Sequence, residues 1–390
     1  MRSLFSILLL LTGLPLFAQY AMGKRTIVFY DNNRANRAVS TELYYPANTA
    51  GTNVPLASGT EKFPVVVFGH GFVMPVTAYT WLADSLTRNG FIVAFPSTES
   101  SFAPSHDNFG KDIAFLCSRI CSLNDSSSSF LSGRVLPKSA AAGHSMGGGS
   151  SFLAMAANNN INAIFNFAAA ETNPSAKTAA LTVQKPALVF SGNSDCIVAP
   201  SEQLQMYNNI PYTCRSYVNI LNALHCQFGN NDGTCSFGQI TSGCNSSSIT
   251  PAIVFEKVCS VLIPFLNYYL KADCNAGPLY QNRFINLSGV ISQRSCTSDP
   301  AGCIVTGING TPTERQIRIG PNPVMNGRIY ISSPAEFLQY AEIIDLQGRS
   351  LLRLTGLRQK QLTLQVSAKG NLLARVGTAR GMVQRLILVK

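Results

Sequence analysis

The chain has 390 residues, of which 46% are hydrophobic and 13% charged, enough for a large core and a small second domain. Its formal net charge of +11 sits mostly at one end, because residues 304–390 hold twelve Lys or Arg against four Asp or Glu. That tail has no interleaving of aromatic and basic residues, so nucleic acid is excluded as a partner, and the basic surplus reads as a solvated face or a contact with an anionic envelope surface. Past the N-terminus no segment reaches the ~18 consecutive apolar residues of a membrane span, so no transmembrane segment is expected.

Residues 1–18 carry Arg2 and then an apolar run broken only by Ser6, Thr12, Gly13 and Pro15, ending at the small Ala18. This pattern predicts a secretory signal peptide cleaved after Ala18. The apolar run at 64–68 predicts a strand that turns sharply at Gly69-His70-Gly71-Phe72. Trp81, Leu82, Ser85 and Leu86 fall on one side of an amphipathic helix, which makes Trp81 a helix-to-sheet packing residue rather than a substrate platform. Small residues at 139–143 then lead into Gly143-His144-Ser145-Met146-Gly147. That G-x-S-x-G frame is a nucleophile elbow, in which glycines two before and two after the serine permit a tight strand-to-helix turn. A strand at 163–168 follows. The run at 186–190 predicts a buried strand that breaks into a loop holding Asp195, and the strand at 217–221 is followed by His225.

The chain has four histidines, and His225 is the one that follows the nucleophile. Serine, aspartate and histidine thus occur in the order that the elbow architecture requires. A serine hydroxyl is a weak nucleophile at neutral pH, so His225 is the expected general base and Asp195 the residue that fixes its tautomer. The backbone amides of Met146 and Phe72 are the expected oxyanion donors. His144, Thr98 and Glu171 are candidate substrate contacts, with a solvated loop carboxylate the favoured reading of Glu171. Fifty positions separate Ser145 from Asp195, too few for a cap domain. This chemistry calls for no cofactor and no metal, and a monomer acting on an ester is the expected unit.

Eleven cysteines without a paired C-x-x-C zinc pattern predict disulfides and an oxidising compartment. Connectivity is open at this level. Cys196 follows Asp195 and Cys226 follows His225, so a Cys196–Cys226 clamp is one pairing; Cys196–Cys214 with Cys226–Cys235 is another. Cys235–Cys244 and Cys296–Cys303 are expected as local loop closures. Beyond a turn-rich stretch at 306–312, strands are predicted at 316–319, 328–332, 341–345, 361–366, 372–376 and 385–389. The organisation expected is a signal peptide at 1–18, a catalytic domain at 22–292, a linker at 293–314 and a β-sandwich at 315–390.

The segments Phe68-Gly69-His70-Gly71-Phe72, Trp81-Leu82-Ala83 with Gly90-Phe91-Ile92-Val93, Gly143 to Gly149, and Ser191-Gly192-Asn193-Ser194-Asp195-Cys196 resemble the cutinase, polyester-hydrolase and chlorophyllase-like branch of the α/β-hydrolases. The resemblance implies a doubly wound, mostly parallel sheet and a carboxylic ester hydrolase with an open cleft for hydrophobic or polymeric esters. Cutinases commonly carry tyrosine where Phe72 stands. A peptidase of the same fold and a non-catalytic surface-binding protein are the alternatives. The tail, through Gly320-Pro321-Asn322-Pro323-Val324, Ile344-Asp345-Leu346-Gln347-Gly348-Arg349 and 370–390, resembles the C-terminal sorting domain of type IX secretion cargo. That likeness implies the type IX machinery as a partner and a product that is released or attached to the cell surface.

Overall fold

The computed structural model describes residues 20–211, 214–230, 233–244, 247–296, 317–334, 336–345, 349–378 and 381–390. The expected signal peptide and most of the expected linker lie outside them. In chain order the first part contains β1 (Ala21–Asp31), β2 (Arg37–Ala47), β3 (Gly51–Thr52), β4 (Phe63–Gly69), α1 (Thr80–Arg88), β5 (Ile92–Pro96), α2 (His106–Ser122), β6 (Val135–His144) and α3 (Met146–Ala157). It continues with β7 (Ala163–Phe167), α4 (Ala176–Ala180), β8 (Ala187–Gly192), α5 (Pro200–Asn209), β9 (Arg215–Ile220), α6 (Gly233–Thr241), α7 (Pro251–Lys271), α8 (Ala276–Ile285) and β10 (Val290–Ser295). The ten strands form one sheet in the order β10-β9-β8-β7-β6-β4-β5-β2-β1-β3. From β9 to β5 neighbours are parallel, while β10, β2 and β1 are antiparallel additions at the two edges.

Successive strand residues face opposite sides, so the unbroken apolar runs of the central strands serve two cores. Val66 and Phe68 of β4 enter a core with Leu82 and Leu86 of α1 and Leu262 and Phe265 of α7. Val65 and Val67 enter the other, with Ile113 and Leu116 of α2 and Phe152 of α3. Phe68 is fully buried against Tyr79, Phe95, Phe165 and Phe167, so its truncation to alanine would cost about 3–5 kcal/mol. This is the expected doubly wound sheet. Trp81 stacks on Phe167 of β7 at 5.9 Å and on Phe255 of α7 at 4.1 Å between ring centres, so it packs against helix as well as sheet. By length and composition α7 is the one helix among the described residues that could cross a membrane, yet Val254, Val258, Val261, Leu262, Phe265 and Leu266 bury its inner face in the sheet's core.

Cys214 precedes β9 and Cys296 follows β10, and the antiparallel register sets Arg215 opposite Ser295, so the two cysteines meet as a disulfide with Cα atoms 4.0 Å apart. The expected local closure Cys296–Cys303 is thereby overturned; Cys303 itself lies outside the described residues. β10 also carries the large sheet through Ser295, across the boundary expected at 292.

The C-terminal part forms two antiparallel sheets. One joins β11 (Arg318–Gly320), β12 (Arg328–Ser332) and β15 (Gln361–Gln365); the other has the order β14 (Ser350–Gln359), β13 (Leu338–Asp345), β16 (Gly370–Thr378), β17 (Gly381–Val389). Ile319, Ile329, Ile331, Ile343, Leu364 and Val376 from both sheets share one core, as in an all-β sandwich. Sequence pattern missed β14, an edge strand in which no residue is fully buried.

Candidate active site

Ser145 sits between β6 and α3 with φ 53° and ψ −119°, a conformation that non-glycine residues rarely adopt. The turn is held by close backbone approach. A Cβ on Gly143 would lie 2.3 Å from the Gly147 carbonyl carbon, and a Cβ on Gly147 would lie 2.2 Å from the Gly69 carbonyl oxygen. Both positions require glycine, and the strained serine is supported by bonds from its own amide to the Phe167 carbonyl and from the Gly149 and Ala170 amides to its carbonyl.

Asp195 lies in the loop after β8 and His225 in a short 3-10 turn after β9, both at the C-terminal edge of the parallel strands. The His225 Nδ1–H donates to Asp195 Oδ2 at 2.7 Å, and both side chains are buried. The other carboxylate oxygen accepts from the amides of Ile197, 2.9 Å, and Val198, 2.8 Å, so the loop itself aims the carboxylate. This pairing leaves Nε2 of His225 as the ring's free acceptor.

The turn after β4 is pinned on both sides of Phe72. Gly71 N donates to Tyr79 Oη at 2.9 Å, and Met74 N donates to the Gly71 carbonyl at 3.0 Å. His70 places Nδ1 2.8 Å from the Gly71 carbonyl and Nε2 2.9 Å from that of Thr98. Gly147 N donates to the His70 carbonyl at 3.1 Å, which ties this turn to the elbow. Flanked by these engaged groups, the amides of Phe72 and Met146 have no acceptor among the described residues.

His144 does not face a substrate, contrary to expectation. Its ring is fully buried: Nε2–H donates to the His225 carbonyl at 3.1 Å, and Nδ1 accepts from Tyr79 Oη at 2.9 Å. Burial, and then the neighbouring His225, push its pKa well below the usual histidine value, so the ring is neutral. A buried chain of hydrogen bonds therefore runs from Gly71 through Tyr79 and His144 to the backbone of His225. Thr98 is also turned inward, its hydroxyl donating at 2.6 Å to the fully buried Asp112, which Arg34 and Arg37 hold in ion pairs. Glu171 is exposed and accepts from the Lys177 amide at 3.2 Å, the loop-carboxylate alternative. Tyr79 and Asp112 went unrecognised in the sequence, where neither belongs to a motif.

Cysteine pairing rules out the Cys196–Cys226 clamp. Cys196 bonds Cys244 and Cys226 bonds Cys235, with Cα separations of 5.5 and 5.7 Å. Cys196–Cys226, Cys196–Cys214 and Cys235–Cys244 are all replaced, because α6 and the turn after it lie between the two triad-bearing loops and present a partner to each. Only Cys226–Cys235 among the alternatives is found. Among the described residues no group of three or more His, Cys, Asp or Glu is arranged to hold a metal ion.

A family model described as PET hydrolase-like matches residues 23–241, more than half of the chain. The chain belongs to the PET hydrolase-like family. The match begins in β1 and ends with α6, so it takes in Ser145, Asp195 and His225 together with both turns around Phe72 and Met146. Membership places the chain in the polyester-hydrolase branch of the α/β-hydrolases, whose activity is on esters. A comparison with curated proteins finds no match.

Proposed function

We propose that the protein is a secreted serine carboxylic ester hydrolase that acts through an acyl-enzyme on hydrophobic or polymeric esters. The observation that carries this reading is the 2.7 Å His225–Asp195 pair at the strand ends beside a serine held at positive φ on a nucleophile elbow. In this reading His225 Nε2 takes the Ser145 proton as the oxygen attacks the ester carbonyl. Asp195 keeps the proton on Nδ1 and stabilises the imidazolium. The Phe72 and Met146 amides receive the developing negative charge; one such donor is worth about 10²–10³ in rate. The imidazolium then protonates the leaving alcohol, and water repeats the sequence on the acyl-enzyme.

Export supports the same picture. Residues 1–18 would be the signal peptide, residues 315–390 the address read by the type IX machinery, and the disulfides suit an oxidising destination. The hydrolase domain would extend through Cys296, since that residue is bonded to Cys214. Turnover of p-nitrophenyl esters over a range of acyl lengths, beside peptide anilides, tests the proposal. Ester turnover without anilide cleavage is the expected result; preferential anilide cleavage would make it a peptidase, and no turnover of either would make it a binding protein.

A further inference from the structure

The helix α6 is attached to both triad loops at once. Cys235 within it is bonded to Cys226, the residue after His225, and Cys244 just beyond it is bonded to Cys196, the residue after Asp195. A third attachment comes from Gln239, whose Oε1 accepts from the Cys226 amide at 2.7 Å. Cys235 and Gln239 are one turn apart and share the inward face. The outward face carries Phe237 and Ile240, 67% and 75% exposed. An amphipathic helix on a protein surface ordinarily turns such residues inward. Here two disulfides hold them outward.

The exposed apolar surface continues from α6 to the triad. A Cβ on Gly238 would lie 3.8 Å from Ile197 Cδ1, and Ile197 is itself exposed and donates its amide to Asp195. Across the strand ends, the exposed rings of Phe72 and Phe102 meet edge to face at 6.4 Å. Ten large apolar side chains are exposed among the described residues of the sheet domain, and five of them stand on these four loops, which is clustering rather than scatter. The segment that carries α6 is also nearly uncharged. Residues 216–255 contain no lysine, arginine or glutamate and one aspartate, in a protein of net charge +11.

We infer that α6 is a disulfide-braced platform on which Phe237 and Ile240 bind an uncharged polyester chain and feed it to Ser145. This rests on the serine ester hydrolase reading above and adds the surface residues that hold the polymer. A small soluble ester needs contact only with the serine and its oxyanion donors. A solid polymer must lay repeat units along the surface beyond the scissile bond, where apolar contact is the available source of affinity. The lack of charge fits a neutral polymer.

The test is the double variant Phe237→Ser/Ile240→Ser in the full chain, measured on polycaprolactone film and on p-nitrophenyl butyrate. Film hydrolysis and adsorption at low enzyme loading should fall about tenfold or more, from the loss of two apolar contacts, while kcat/KM on the soluble ester stays within twofold. Equal losses on both substrates would overturn the inference, placing α6 in support of the His225 and Asp195 loops. Unchanged film hydrolysis would overturn it too, as would a shift from dimer to monomer in size-exclusion chromatography with film hydrolysis retained. A wild-type protein that turns over the soluble ester and leaves the film untouched refutes the platform but not the hydrolase; failure on both refutes the hydrolase itself.

Discussion

Tyr79→Phe removes one oxygen from the buried chain that joins Gly71 to the His225 backbone. Ring packing survives, because the contacts of Tyr79 with Phe68 and Phe95 involve the ring alone. What is lost is the acceptor for Gly71 N and the donor to His144 Nδ1, both at sites closed to water. Each buried polar group left without a partner costs about 1–3 kcal/mol, so the variant should lose about 2–4 kcal/mol, allowing for partial relaxation. In a domain of this size that lowers Tm by roughly 4–7 °C. The catalytic effect follows from the position of Gly71 immediately before Phe72. Removing an oxyanion donor outright costs about 10²–10³, and loosening its turn should cost a fraction of that, about tenfold in kcat, with KM little changed. Calorimetry and steady-state kinetics on p-nitrophenyl butyrate measure both quantities. A lowered Tm with kcat within twofold of wild type would show that the chain serves stability alone, and no change in either would refute its importance altogether.

Three further outcomes follow from the same geometry. His144 is buried neutral, so its folded pKa lies below its unfolded value of about 6.5; the unfolded state binds the extra proton, and stability falls as pH drops below about 6.5 by up to about 1.4 kcal/mol per pH unit. Urea unfolding of His144→Phe at pH 7 and pH 5 should show a smaller acid loss than wild type, and an equal loss would contradict this. Asp195→Asn should lower kcat by about 10⁴, because the amide no longer holds the His225 tautomer; activity near the wild-type level would remove Asp195 from its role. A chain ending between residues 303 and 314 should keep its soluble-ester activity, since the sheet, the triad and the disulfides at Cys196, Cys214 and Cys226 lie upstream; loss of activity would make the sandwich part of the working enzyme.

The site was legible in the sequence wherever local sterics or chain order dictate the answer. Glycine at 143 and 147 is forced by backbone approaches of 2.3 and 2.2 Å, and that requirement is the motif itself. Asp195 and His225 could be read because strand ends at neighbouring positions in a parallel sheet converge at one edge. The direction of the His144 ring could not, since it depends on Tyr79, sixty-five residues away, and on the His225 carbonyl. Disulfide partners were hidden for a similar reason: Cys196 and Cys244 are 48 residues apart and meet only because α6 folds back between the loops. The penultimate strand β1 and the edge strand β14 escaped because their burial alternates weakly or not at all.

Covalent labelling tests the central claim, that Ser145 is the nucleophile of an ester hydrolase, most directly. A fluorophosphonate should attach stoichiometrically and map by peptide mass spectrometry to Ser145, and Ser145→Ala should take up no label while turnover of p-nitrophenyl butyrate falls by at least as much as in Asp195→Asn, about 10⁴ or more. Label on another residue, or an alanine variant that turns over ester at the wild-type rate, would contradict it.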